Sequence, residues 1–246
     1  VFVWRHLDRA ETETGPDARR RTFGVDAAGC RFMDLSQLPV HERPLPRPPG
    51  LPSSSSSAEG GSGVDDDDDG GGEWTCVSLD VSLNRLVSLD DVAHLTTLSE
   101  LKASTNLFGR LPDVVLLMRN LTALDVSNCV ISVLPPVTPL AGLRFLDLSM
   151  NKLTSVPLDP LTNLHTLNLA ANELTSVSCL LSLTQLRNLD LSCNHITSVD
   201  GIEALNRLEV LQLAAKGYSY QDIAGLLEVK VSTISSYTRR MYQKLS

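Results

Sequence analysis

The chain has 246 residues, 42% of them hydrophobic and only 4% aromatic, with a formal net charge of −8. That length and apolar content suffice for one or two domains with a buried core, and the scarcity of rings points to a core of aligned aliphatic side chains. No stretch approaches the roughly 20 apolar residues of a membrane span, no basic-then-apolar leader opens the chain, and an acidic body of this kind would repel nucleic acid.

Residues 1–50 have mixed composition and no sustained period of 2 or 3.6, although Cys30 to Leu38 reads as a short ordered piece. The run Arg43-Pro-Leu-Pro-Arg-Pro-Pro49 favours an extended left-handed helix. Arg43, Pro46 and Pro49 share one edge of it, which fits either a ligand of polyproline-binding domains or a stiff linker. Residues 53–72, with Ser53 to Ser57 and Asp65 to Asp69, cannot bury apolar surface and read as a flexible spacer. Residues 1–73 are therefore expected to be mostly disordered linker.

From Cys76 onward one unit recurs, its segments beginning at Cys76, Leu98, Leu121, Leu143, Leu164, Leu186 and Leu208. In Leu143-Arg-Phe-Leu146-Asp-Leu148-Ser-Met-Asn151-Lys-Leu153 the alternation at Leu146 and Leu148 predicts a short strand with Asp147 facing out. Asn84, Asn106, Asn151, Asn172 and Asn194 recur at the ninth position, where a buried amide can bond adjacent turns, and Cys129 takes that place once. Cys76 and Cys129 thus read as packing residues. Together with Cys30, Cys179 and Cys193 they form no C-x-x-C pair and stand near no histidine at metal-ligand spacing, so a reducing compartment and no metal or cofactor are expected.

The pattern L-x-x-L-x-L-x-x-N-x-L resembles the leucine-rich repeat family. Its unit length resembles the 22-residue class typified by the regulatory subunit of type 1 protein phosphatase. The resemblance covers residues 74–207, reaching toward Leu213, and implies an α/β solenoid with parallel strands on its concave face and a protein partner held there. One outward column reads Asp80, Lys102, Asp125, Asp147, Asn168, Asp190, Gln212. Asp125, Asp147 and Asp190 from that column, with Arg144, Phe145, His165 and Arg187 from the neighbouring ones, are the candidate protein-binding residues. Aspartate after the strand leucine is also ordinary repeat chemistry.

Residues 208–246 reverse the charge, with Lys216, Lys230, Arg239, Arg240 and Lys244 facing Glu209, Asp222 and Glu228. Gln221 to Leu227 and Ser232 to Leu245 carry helical apolar spacing. The strings Lys216-Gly-Tyr-Ser-Tyr-Gln-Asp-Ile-Ala and Val231-Ser-Thr-Ile-Ser-Ser-Tyr resemble the LuxR-type helix-turn-helix domain of bacterial regulators. That resemblance implies a small all-α segment binding duplex DNA, with Ser235, Ser236 and Arg239 at base edges and Thr233, Arg240 and Lys244 at phosphates. The family differs at Glu228, where it has a turn glycine, and at Lys230, where it has a capping residue.

The two resemblances overlap. Leu208-Glu-Val-Leu-Gln-Leu213 fits the last repeat strand, while Asp200 and Glu203 can start a helix over Ile202 to Lys216 stopped by Gly217. The expected function is protein docking on the concave face; the alternative is a DNA-binding transcriptional regulator or, for the tail, a helical end cap. An enzyme is not expected, because the five histidines stand in no catalytic arrangement and no phosphate-binding loop occurs. Neither a membrane nor a small-molecule substrate is expected, and the location implied is intracellular, cytoplasmic or nuclear.

Overall fold

The computed structural model describes residues 3–6, 21–30, 35, 74–200 and 202–213. Among these, nine strands form one sheet in chain order: β1 (Val3–His6), β2 (Arg21–Asp26), β3 (Trp74–Asp80), β4 (Glu100–Lys102), β5 (Ala123–Asp125), β6 (Phe145–Asp147), β7 (Thr166–Asn168), β8 (Asn188–Asp190) and β9 (Val210–Gln212). β1 is antiparallel to β2 and all later pairs are parallel. Leu79, Leu101, Leu124, Leu146, Leu167, Leu189 and Leu211 are successive register partners, so the repeat period sets the stacking directly.

A parallel neighbour requires the chain to return across the molecule within one unit. Here the return is made by turns and short 3-10 segments, such as Asp90–Val92, Asp113–Leu117 and Ser178–Leu180. Each return contributes aliphatic side chains to a single core. In one turn Leu143, Leu146, Leu148, Leu153, Val156, Leu158 and Leu161 are all buried, and each full burial contributes about 1.5–3 kcal/mol against chain entropy.

The parallel sheet begins earlier than the leucine pattern does. β2 pairs with β3, and Val25 and Ala27 are buried as small counterparts of Leu79 and Val81. The Ala27 N–H donates to the Asp80 carbonyl at 2.6 Å, and Leu35, also buried, is held by its N–H on Asp91 Oδ2 at 2.9 Å. Within the stretch expected to be mostly linker, residues 21–30 therefore form a leucine-poor first turn, and β1 covers its edge. Only Val25 and Ala27 carry the pattern there, too few to register as a repeat.

Behind the strands runs a ladder of buried amides. Asn151 Nδ2 donates to the carbonyls of Val126, Leu148 and Ser149 at 3.0, 3.0 and 3.2 Å. Its Oδ1 accepts the N–H groups of Cys129 and Ile131 at 3.1 and 2.9 Å. Asn106, Asn172 and Asn194 repeat the scheme, each tying its own turn to the preceding one. The residue before each ladder position has left-handed backbone: Leu83, Thr105, Asn128, Met150, Ala171 and Cys193 have φ between 52° and 57°. Such a conformation costs about 1 kcal/mol without glycine, and the ladder bonds hold it in place.

Candidate functional site

The sheet presents three rows of outward side chains: the residue just before each short strand and the strand's first and third residues, the middle one being the buried leucine. Asp80, Lys102, Asp125, Asp147, Asn168, Asp190 and Gln212 are consecutive register partners and form the row at the strand ends. One oxygen of each aspartate is already engaged. Asp80, Asp125, Asp147 and Asp190 each accept, on Oδ1, the N–H of the serine two residues on, at 2.8–3.0 Å. The Ser127 and Ser149 hydroxyls add bonds of 2.7 and 2.6 Å. One oxygen of each carboxylate thus closes the strand, which leaves the other for a partner except at Asp147, where Oδ2 is also engaged.

These carboxylates are also crowded. Burial pushes the Asp125 carboxyl above the usual carboxylate range, against the Ser127 bonds that lower it, and the charges of Asp147 and Asp80 raise it further. Asp147 Oδ2 meets the Asn168 amide at 2.9 Å. Lys102, the cation in the row, is paired with Glu100 of its own strand at 3.0 Å. That pair interrupts the acidic row between Asp80 and Asp125; an alternating Glu-x-Lys on one strand face was the signal for it.

Arg144, His165 and Arg187 form a second row at the strand starts, linked because the His165 N–H donates to the Arg144 carbonyl at 2.9 Å and the Arg187 N–H to the His165 carbonyl at 2.8 Å. Arg144 and Arg187 are exposed. Arg187 reaches Glu209 at 3.0 Å, an exposed pair worth a few tenths of a kcal/mol. His165 Nδ1 lies 2.6 Å from the Asn163 carbonyl, an oxygen acceptor that requires the proton on Nδ1.

Between the rows lie Ala123, Phe145, Thr166, Asn188 and Val210. Phe145 is 39% exposed and Val210 37%. The structure thus brings Asp125, Asp147, Arg144, Phe145 and His165 together on adjacent strands, with Arg187 and Asp190 on the next strands along. Glu209 and Val210 extend the same face and were not singled out from the sequence.

The remaining sequence candidates, Thr233, Ser235, Ser236, Arg239, Arg240 and Lys244, lie outside the described residues. The boundary is visible, however: Leu208 to Leu213 lie in the solenoid, with Val210–Gln212 as a strand and Leu208, Leu211 and Leu213 buried. Among the described residues no three His, Cys, Asp or Glu side chains are grouped to hold a metal, and no helix is long and apolar enough to cross a membrane.

Residues 141–182 and 162–204 match a family model described as leucine-rich repeats in two copies. Residues 207–246 match the model for bacterial regulatory proteins of the luxR family. No curated protein is significantly similar to the chain. Among solved structures, a leucine-rich repeat protein of Leptospira interrogans is similar with a TM-score of 0.55 at 24% identity, covering 70% of this chain and 50% of that one. An internalin from Listeria monocytogenes is similar with a TM-score of 0.51 at 22% identity, covering 65% of this chain and 55% of that one. The chain spans about half the length of these two proteins, and the likeness is one of fold: the described sheet and its returns are a leucine-rich repeat solenoid.

Proposed function

We propose that the solenoid docks a protein partner on its concave face, with Asp125, Arg144, Phe145, Asp147, His165, Arg187 and Asp190 as the contact residues. The observation that carries this is Phe145, an aromatic ring 39% exposed at the first position of β6, between the row holding the exposed Arg144 and Arg187 and the acidic row. An aromatic anchor ringed by charges is the usual composition of an interface hot spot. The two rows stand three residues apart along each strand, about 10 Å. A partner segment lying along the stack would therefore present acidic groups to Arg144 and Arg187 and basic groups to Asp125, Asp147 and Asp190, and that polarity would fix its direction.

A photo-crosslinking residue at Phe145, compared with one at the exposed Asp159 on the return side, tests this reading in cells. Adducts formed from position 145 alone, and lost with Arg187→Glu, support it. Equal adducts from both positions, or none from 145, overturn it.

A second reading rests on the luxR-family match over residues 207–246: the tail binds duplex DNA, with Ser235, Ser236 and Arg239 reading bases and Thr233, Arg240 and Lys244 holding phosphates. The full chain is then expected to retain duplex DNA with an affinity that falls steeply with salt and with Arg239→Ala. Salt-insensitive or absent retention would sink this reading. The two activities are compatible in one intracellular chain, with the solenoid as input and the tail as output.

A further inference from the structure

Residues 204–213 carry two sets of local instructions. In the structure Leu208, Leu211 and Leu213 are buried, and β9 is placed by the register Val210↔Asn188, Leu211↔Leu189 and Gln212↔Asp190. The N–H groups of Glu209 and Val210 donate to the Arg187 carbonyl at 2.8 and 2.9 Å, and the Leu191 N–H donates to the Gln212 carbonyl at 2.7 Å.

The same residues open the stretch that matches the luxR-family model, which starts at residue 207. Their composition is that of a helix. Ala204, Leu208, Leu211 and Ala215 fall at i, i+4, i+7 and i+11, one face of a helix. Arg207, Glu209, Gln212, Ala214 and Lys216 are strong helix formers, Val210 is the one β-branched residue from Leu205 to Lys216, and Gly217 supplies a stop.

Like β1 at the other end, β9 is an edge strand, pairing on one side only among the described residues, so it can leave without parting two neighbours. Releasing it would uncover Leu189 and Leu191, which are 1% and 0% exposed, and that uncovering keeps the strand docked by default.

We infer that β9 is an exchangeable strand: residues 204–216 leave the sheet to form the leading helix of the DNA-binding tail, so that a closed solenoid and a DNA-competent tail exclude one another. This rests on the DNA-binding reading above. DNA that binds only the released form draws the strand out of the sheet by mass action, and anything that stabilises the last solenoid turn opposes DNA binding.

The test is made on the full chain. Asn188→Cys with Val210→Cys, in a Cys193→Ser background, places two thiols on directly paired residues whose spacing suits a disulfide. Binding to a randomised duplex DNA pool at low salt is compared between the oxidised and reduced forms of this one protein. Oxidation is expected to weaken binding by about ten-fold or more, because the competent fraction is removed. In the unmutated chain, saturating DNA is expected to accelerate hydrogen exchange at the Leu191 amide, which loses its Gln212 acceptor. Equal affinity of the oxidised and reduced forms, or unchanged exchange at Leu191, overturns the exchange while leaving DNA binding in place. Failure of the unmutated chain to bind the pool at all overturns both readings.

Discussion

Two neighbouring turns of the solenoid make the same fold with different chemistry at the ladder position. In the turn of Asn151 one amide makes three donor bonds and accepts two. In the turn of Cys129 a thiol reaches the Ala103 and Ser127 carbonyls at 3.2 and 3.3 Å and has no carbonyl oxygen to offer in return. Sulfur donates weakly and accepts poorly.

The backbone on either side of this position is distinct as well. The Gly109 N–H donates to the Cys129 main-chain carbonyl at 3.1 Å, and Gly109 and Val130 take left-handed backbone with φ of 68° and 59°. The turn spreads around a groove of about 660 Å³ lined by Phe108, Gly109, Arg110, Ser132, Val133 and Pro135. The register is kept through this turn, Leu101 to Leu124 to Leu146.

The sharpest way to break this comparison is thiol chemistry. Burial pushes the Cys76 and Cys129 thiols up to about 12, whereas Cys193 is exposed. A disulfide reagent at pH 8 should modify Cys193 at once and Cys76 and Cys129 about a thousand-fold more slowly. Rapid labelling of Cys129 would mean that its turn opens.

Asn151→Ala should cost about 3–4 kcal/mol in urea unfolding, since it strands two buried N–H groups and several carbonyls. A loss below about 1 kcal/mol would mean that water replaces the amide. Cys129→Asn, the reverse experiment, should stabilise the chain by about 1 kcal/mol by supplying the missing acceptor.

The smallest effect concerns pH. A carboxyl raised in the folded state binds protons more readily there than when unfolded, so Asp125 makes stability fall as pH rises from its ordinary 3.8 through its raised folded value. Asp125→Asn, which keeps the acceptor for Ser127, should flatten that part of the stability profile; an unchanged slope would assign the decline to other groups.

How much of this was legible depended on whether a residue's partner sits one repeat away. Leucines and asparagines recurring at a fixed period announced strands, register and ladder together, because each leucine pairs in register with its copy in the next turn and each asparagine bonds the main chain of its own and the preceding turn. β2 stayed hidden because its evidence is relational: Val25 and Ala27 are ordinary residues until Asn84, 57 positions later, donates to the Ala27 carbonyl. The acidic row was read correctly as a row, yet its chemistry is half structural. The recurring Asp-x-Ser at Asp80, Asp125, Asp147 and Asp190 was the sign that one oxygen of each would turn back to the backbone. Phe145 was legible as an outward residue from its place between the strand leucines, and the structure adds that it stands 39% exposed beside Ala123 and Thr166.

The constant stacking interval has a consequence for how the chain reaches this state. From Leu79 to Leu211 the successive strand partners are 21 to 23 residues apart, so each added turn closes a loop of the same size. The entropic toll of closure is then uniform along the array. Folding can start at any adjacent pair of turns and advance in either direction, and lengthening the array by further units adds steps without adding a harder one.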